Sequence, residues 1–107
     1  MPLVSLAMSD LAFAYHATLK EFLGNIVREG LLPHEHPSSP EEPVLFVERE
    51  EREAMIYLEP DAVMLRFSVG GFGSTEDGED ILHDRILPEA ISVREGGKWV
   101  PLLQYSL

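Results

Sequence analysis

Cysteine is absent from this 107-residue sequence, which excludes disulfides, cysteine-ligated zinc and thiol catalysis. Basic residues are scarce: 8 Lys and Arg stand against 19 Asp and Glu, for a formal net charge of −11. The basic residues are scattered and form no run. Phosphate backbones and anionic lipid surfaces are repelled by such a chain, so direct nucleic-acid or membrane binding is disfavoured. Long hydrophobic runs are missing as well, and no window approaches a membrane span. The apolar opening Pro2-Leu3-Val4-Ser5-Leu6-Ala7-Met8 is short and has no basic residue before it, unlike a signal peptide. A cytoplasmic location is expected. The sequence also lacks an internal repeat, a phosphate-cradling glycine loop followed by lysine, and a serine nucleophile elbow.

What is present describes one small globular domain over residues 1–107, with residues 1–10 expected to form a loose N-terminal segment. Hydrophobic residues make up 45% of the chain, enough for a modest core. Residues 11–17 alternate as a strand, with Leu11, Phe13 and Tyr15 on one face and Ala12, Ala14 and His16 on the other. The second face leaves space beside a lone imidazole. Thr18 followed by Glu21 reads as a capping box, and Leu19, Phe22, Leu23, Ile26 and Val27 share a helical face. A helix over 19–29 is predicted, stopped by Gly30. Residues 33–43 carry four prolines and are predicted to loop. A buried strand is expected at 44–47, then a helix over 48–58 ending before Pro60. Residues 62–69 alternate as a second long strand, and 70–78 form a glycine- and acid-rich loop. Another strand is expected at 81–86. A hairpin is expected around Glu95-Gly96-Gly97-Lys98. Helices early and strands late favour an α+β domain.

Few residues offer chemistry on their own. His34 and His36 flank Glu35 and suit a metal, but two histidines make an incomplete site unless His16 or His83 joins them. A solvated loop is the simpler reading, and no metal is expected. The acids Glu76, Asp77, Glu79 and Asp80 lack the spacing of a helix–loop–helix calcium site. Their position at the entry to a strand is more informative than their charge.

The run Tyr15-His16-Ala17-Thr18, then Phe22, Ile26-Val27-Arg28-Glu29 and Gly30-Leu31, resembles the N-terminal signature of the ADP-ribosyltransferase-like superfamily. The segment Val44 to Val47, a helix bearing Tyr57, and Glu79-Asp80-Ile81-Leu82 continue the likeness in order, and Ala17 stands where Gly is more usual. The combination is similar to the His-Tyr-Glu branch of diphtheria-type toxins and poly(ADP-ribose) polymerases. The resemblance implies two early helices packed on a split, mostly antiparallel sheet. It implies NAD as substrate, with His16 on the nicotinamide-side ribose, the Ala17 backbone on the nicotinamide amide, and Tyr57 stacked on the ring. Glu79 would stabilise the cationic sugar, with Glu76 and Asp80 competing for that role. The implied activity is mono-ADP-ribosylation of a protein, as a toxin or phage effector would perform it. The alternative is an inactive relative whose acidic surface binds and inhibits a basic partner protein.

Overall fold

The computed structural model describes residues 12–36, 39–57, 59–75 and 78–105, with backbone alone at 36, 39–41 and 57. The expected N-terminal segment 1–10 lies outside the described residues, as does Leu11. The chain is α+β, built on two four-stranded antiparallel sheets. One sheet has the order β1-β4-β7-β8 and comprises β1 (Ala12–Leu19), β4 (Ala62–Val69), β7 (Ile91–Glu95) and β8 (Lys98–Pro101). The other has the order β2-β3-β6-β5, from β2 (His34–His36), β3 (Ser39–Phe46), β6 (Asp80–Leu82) and β5 (Gly73–Ser74). Helix α1 (Leu23–Glu29) follows β1, and the short α2 (Glu51–Ala54) follows β3.

The alternation of 62–69 places Val63, Leu65, Phe67 and Val69 inside, all buried. They face the small side of β1, where Ala14 pairs with Phe67, His16 with Leu65 and Thr18 with Val63. Small residues on β1 thus make room for the large ones on β4. Leu23 and Ile26 of α1, Leu45 and Leu82 of the second sheet, and Ile91, Val93 and Leu102 complete the core. Each fully buried aliphatic or phenyl side chain contributes about 1.5–3 kcal/mol by leaving water. The large residues of β1 face outward instead. Arg66 lies between the rings of Phe13 and Trp99, at 4.3 and 4.4 Å from their centroids.

Several local expectations need correction. The helix predicted at 19–29 begins later: β1 runs to Leu19, a 3-10 turn spans Lys20–Phe22, and only then does α1 start. Thr18 does not cap it. Its backbone stays in the ladder opposite Val63, and no side-chain cap bond forms at Leu19 or Phe22. The Lys20 N–H, a donor such a cap leaves free, donates to the Asp61 carbonyl at 2.8 Å. Phe22 is 48% exposed because the 3-10 turn rotates it off the apolar face.

The proline-rich segment is a β2–β3 hairpin rather than a loop. Its register jumps between His34↔Val44 and His36↔Ser39, and the surplus residues on β3 include Pro40 and Pro43. β3 pairs with β6 only at Leu45 and Phe46, so neither proline must supply an inner ladder donor. The helix predicted at 48–58 reduces to α2 and a 3-10 turn, Met55–Tyr57. Glu48 instead joins β1 through a bridge to Tyr15. The loop 70–78 contains the two-residue strand β5. The strand predicted at 81–86 ends at Leu82, and Ile86 pairs separately with Leu31. The hairpin forms as expected, with Gly96-Gly97 at its turn between β7 and β8.

Candidate functional site

β1 is an edge strand, and the two sheets separate along it. The Tyr15 N–H donates to the Glu48 carbonyl and the Glu48 N–H to the Tyr15 carbonyl, each at 2.9 Å. Tyr15 therefore turns its backbone groups away from β4. Outward-facing backbone recurs every second residue of an antiparallel strand, so Ala17 does the same. Among the described residues no backbone partner meets Ala17 on that side. The result is an open donor–acceptor pair at a strand edge.

A cleft of about 600 Å³ opens there. Its walls include Tyr15, His16 and Ala17 of β1, Phe46 to Glu48 after β3, Glu53 and Ala54 of α2, and Gly78, Glu79 and Asp80 before and within β6. His16 and Glu79, 63 positions apart in sequence (79 − 16), thus line one cavity.

His16 bridges the sheets. Its Nδ1–H donates to the Phe46 carbonyl at 2.9 Å, which leaves Nε2 as an acceptor in the neutral ring. Burial lowers its pKa below the usual imidazole range; the Phe46 carbonyl opposes this, and His34 adds a small push downward. The ring is therefore neutral at neutral pH. The unfolded chain binds the proton more readily, so stability rises with pH across the window between the folded and unfolded values. Acidification from the ordinary value of 6.5 down to the lower folded value should progressively destabilise the protein. Urea unfolding between about pH 8 and 5 should show this slope, and His16→Gln should lack that component. An identical slope in the variant would assign the effect elsewhere.

Glu79 is exposed just before β6. Its N–H donates to Thr75 Oγ1 at 3.1 Å, while its carbonyl accepts from the Thr75 N–H at 3.0 Å. Gly78, at φ 86°, donates to the Thr75 carbonyl at 3.0 Å. This closed turn fixes the Glu79 backbone and leaves its carboxylate without a partner among the described residues. Asp80 differs: Arg49 Nε donates to its carboxylate at 3.0 Å. Glu76 lies outside the described residues. So does the side chain of Tyr57, whose backbone ends the 3-10 turn after α2.

Glu48 and Glu53 also line this cleft, although the sequence reading did not single them out. Glu48 is raised above the ordinary carboxyl range, chiefly by burial and then by Glu53, Asp80 and Glu79. His34 and Glu35 are exposed on β2, and His83 Nδ1 lies 3.7 Å from Glu42 Oε2. Among the described residues no three metal-ligating side chains converge. None of the described helices is long and apolar enough to cross a membrane.

No protein-family model matches the chain, and neither a curated protein nor a solved structure matches it.

Proposed function

We propose that this protein is an NAD-dependent mono-ADP-ribosyltransferase acting on a protein, with the cleft at the sheet split as its active site. The observation that carries the reading is the meeting of His16, the open Ala17 backbone and Glu79 in one cavity. Each matches a need of the substrate. A carboxamide has one donor and one acceptor side, which the free N–H and C=O of Ala17 complement. A neutral imidazole with Nε2 unprotonated accepts a hydrogen bond from a ribose hydroxyl. Breaking the nicotinamide–ribose bond develops positive charge on the sugar, and the carboxylate carried on the held Glu79 backbone stabilises that charge. Tyr57 would stack on the leaving ring and hold it in line.

The cleft is negative, which disfavours the NAD pyrophosphate. Arg49, stacked 4.5 Å from the Phe72 ring centroid and paired with Asp80, is a cation beside that wall able to offset it. The test is incubation of the protein with adenine-labelled NAD and cell lysate, together with calorimetric titration of NAD. Label should pass to a protein band, and NAD should give a saturable heat. Absence of both would overturn the reading.

The carboxyl groups of Glu48, Glu53, Glu79 and Asp80 in one cleft favour a second reading, a non-catalytic protein that binds and inhibits a basic partner. It predicts capture that weakens steeply with salt and survives substitution of His16 and Tyr57. Capture indifferent to ionic strength would count against it.

A further inference from the structure

In an antiparallel sheet with one buried face, the other face ordinarily carries polar side chains. The outer face of the β1-β4-β7-β8 sheet departs from this at one corner, where Phe13, Tyr15 and Trp99 gather round Arg66. Tyr15 stands directly opposite Arg66 in the β1–β4 register. Its ring centroid lies 6.5 Å from that of Phe13 and 6.0 Å from that of Trp99. Helix α2 reaches this face, where Glu51 pairs with Arg94, yet Phe13 is left 47% exposed. The cation at the centre is unmatched. Arg49, Arg52 and Arg94 each pair with a carboxylate, but among the described residues Arg66 meets none, in a chain with 19 Asp and Glu. Rings stacked on a guanidinium hold it in place and leave the N–H groups at its rim able to donate.

We propose that this corner is a docking site for an extended segment of a partner protein, and that Arg66 takes an Asp or Glu side chain standing between apolar residues of that segment. The proposal uses the outer face of the sheet and does not rest on the transferase reading of the cleft. A carboxylate is the planar, two-oxygen acceptor that the guanidinium fork matches with two parallel bonds. The rings beside Arg66 exclude water from that pair and bury the apolar side chains that flank it. Trp, Tyr and Arg are also the residues that carry most of the binding energy at protein interfaces. The net charge of −11 separates a lone carboxylate from other anionic partners. Nucleic acid and an anionic membrane are extended arrays of charge, and the chain repels them as a whole. A single carboxylate in an apolar segment meets one cation at short range, and the distant acids are screened.

Trp99 is the one tryptophan of the chain, so its fluorescence reports on this corner. The full chain is titrated with capped pentapeptides that carry Glu at the centre and Phe, Tyr, Leu or Val around it. The same peptides with Gln at the centre, sodium acetate, and phosphatidylserine vesicles are titrated beside them. Peptides of the Glu set should give a saturable change in emission and bind at least about tenfold tighter than their Gln counterparts. Arg66→Lys keeps the charge and loses the planar fork, and should weaken the best peptide at least about fivefold. Phe13→Ala should weaken it at least about threefold. Its position is exposed, so it supplies the test where a melting curve shows the Arg66 variant unfolded. Equal affinity of the Glu and Gln peptides, or binding unchanged in both variants, overturns the proposal. So does saturation by no Glu peptide, by acetate as tightly as by the best peptide, or by vesicles in place of peptides.

Discussion

Glu79→Gln should lower ADP-ribose transfer about 100- to 1,000-fold while the melting curve stays near that of the wild type. The loss corresponds to about 2.7–4 kcal/mol of transition-state stabilisation. The substitution keeps the size and shape of the side chain and removes its charge. The turn from Thr75 to Glu79 is held by the Glu79 backbone and Thr75 Oγ1, so the glutamine leaves those bonds intact. The charge matters most in the transition state, when the sugar becomes cationic, so kcat should fall far more than KM rises. Asp80→Asn is the control. It removes the pair with Arg49, whose side chain is 59% exposed and whose contribution to stability is small. Its loss of transfer should be at least about tenfold smaller than that of Glu79→Gln. The reverse ranking would move the catalytic role to Asp80 and leave Glu79 a loop acid.

The parts legible in the sequence are those where one local signal acted alone. Val63, Leu65, Phe67 and Val69 alternate without interruption, and β4 has the bounds their pattern implies. The Gly96-Gly97 pair between apolar runs marked the last hairpin. Thr18 and Glu21 show the opposite case. Their spacing is a genuine capping signal, yet Thr18 stays in the ladder opposite Val63, and the Lys20 N–H, which such a cap would leave free, donates to the distant Asp61 carbonyl. The prolines misled for a similar reason. Proline excludes an inner ladder position, but the bulged side of β3 does not present one.

The site divides the same way. His16 was visible as a polar residue on a small-residue face, and its inward placement opposite Leu65 follows from that alternation. Its bond to Phe46 was not visible, because it spans 30 positions and depends on how the two sheets meet. Glu48 was hidden by its neighbours. It opens the charged run Glu48-Arg49-Glu50-Glu51, which reads as a solvated helix start. The surviving signal is its position directly after the apolar run Val44 to Val47, of which Val44, Leu45 and Val47 are buried, where the chain leaves the core and carries its next residue to the rim. Arg49, Glu50 and Glu51 find separate partners in Asp80, Arg52 and Arg94.

Gly30→Ala should destabilise the fold by about 2–4 kcal/mol, combining positive-φ strain with a steric clash. Gly30 ends α1 at φ 81°, and its N–H donates to the Ile26 carbonyl at 2.7 Å. The chain then turns so that Leu31 and Ile86 exchange two backbone bonds of 2.9 Å. That exchange brings the Ile86 carbonyl against the face of Gly30 where a Cβ would stand, 3.0 Å from the carbonyl carbon and 3.3 Å from Leu87 Cα, with the carbonyl oxygen nearer still. Backbone cannot swing aside as a flexible side chain does. Relief requires breaking the Leu31–Ile86 bridge, which seats the buried Leu31 beside α1. Gly96→Ala separates the two causes. Gly96 has φ 63°, but no atom lies within 4 Å of the added methyl, so strain acts there alone. Its cost should be about 1 kcal/mol. Urea unfolding of both variants should show the larger drop for Gly30→Ala, without a change in the denaturant slope. Equal losses would mean that the Ile86 backbone yields to the methyl group and that strain alone sets the cost.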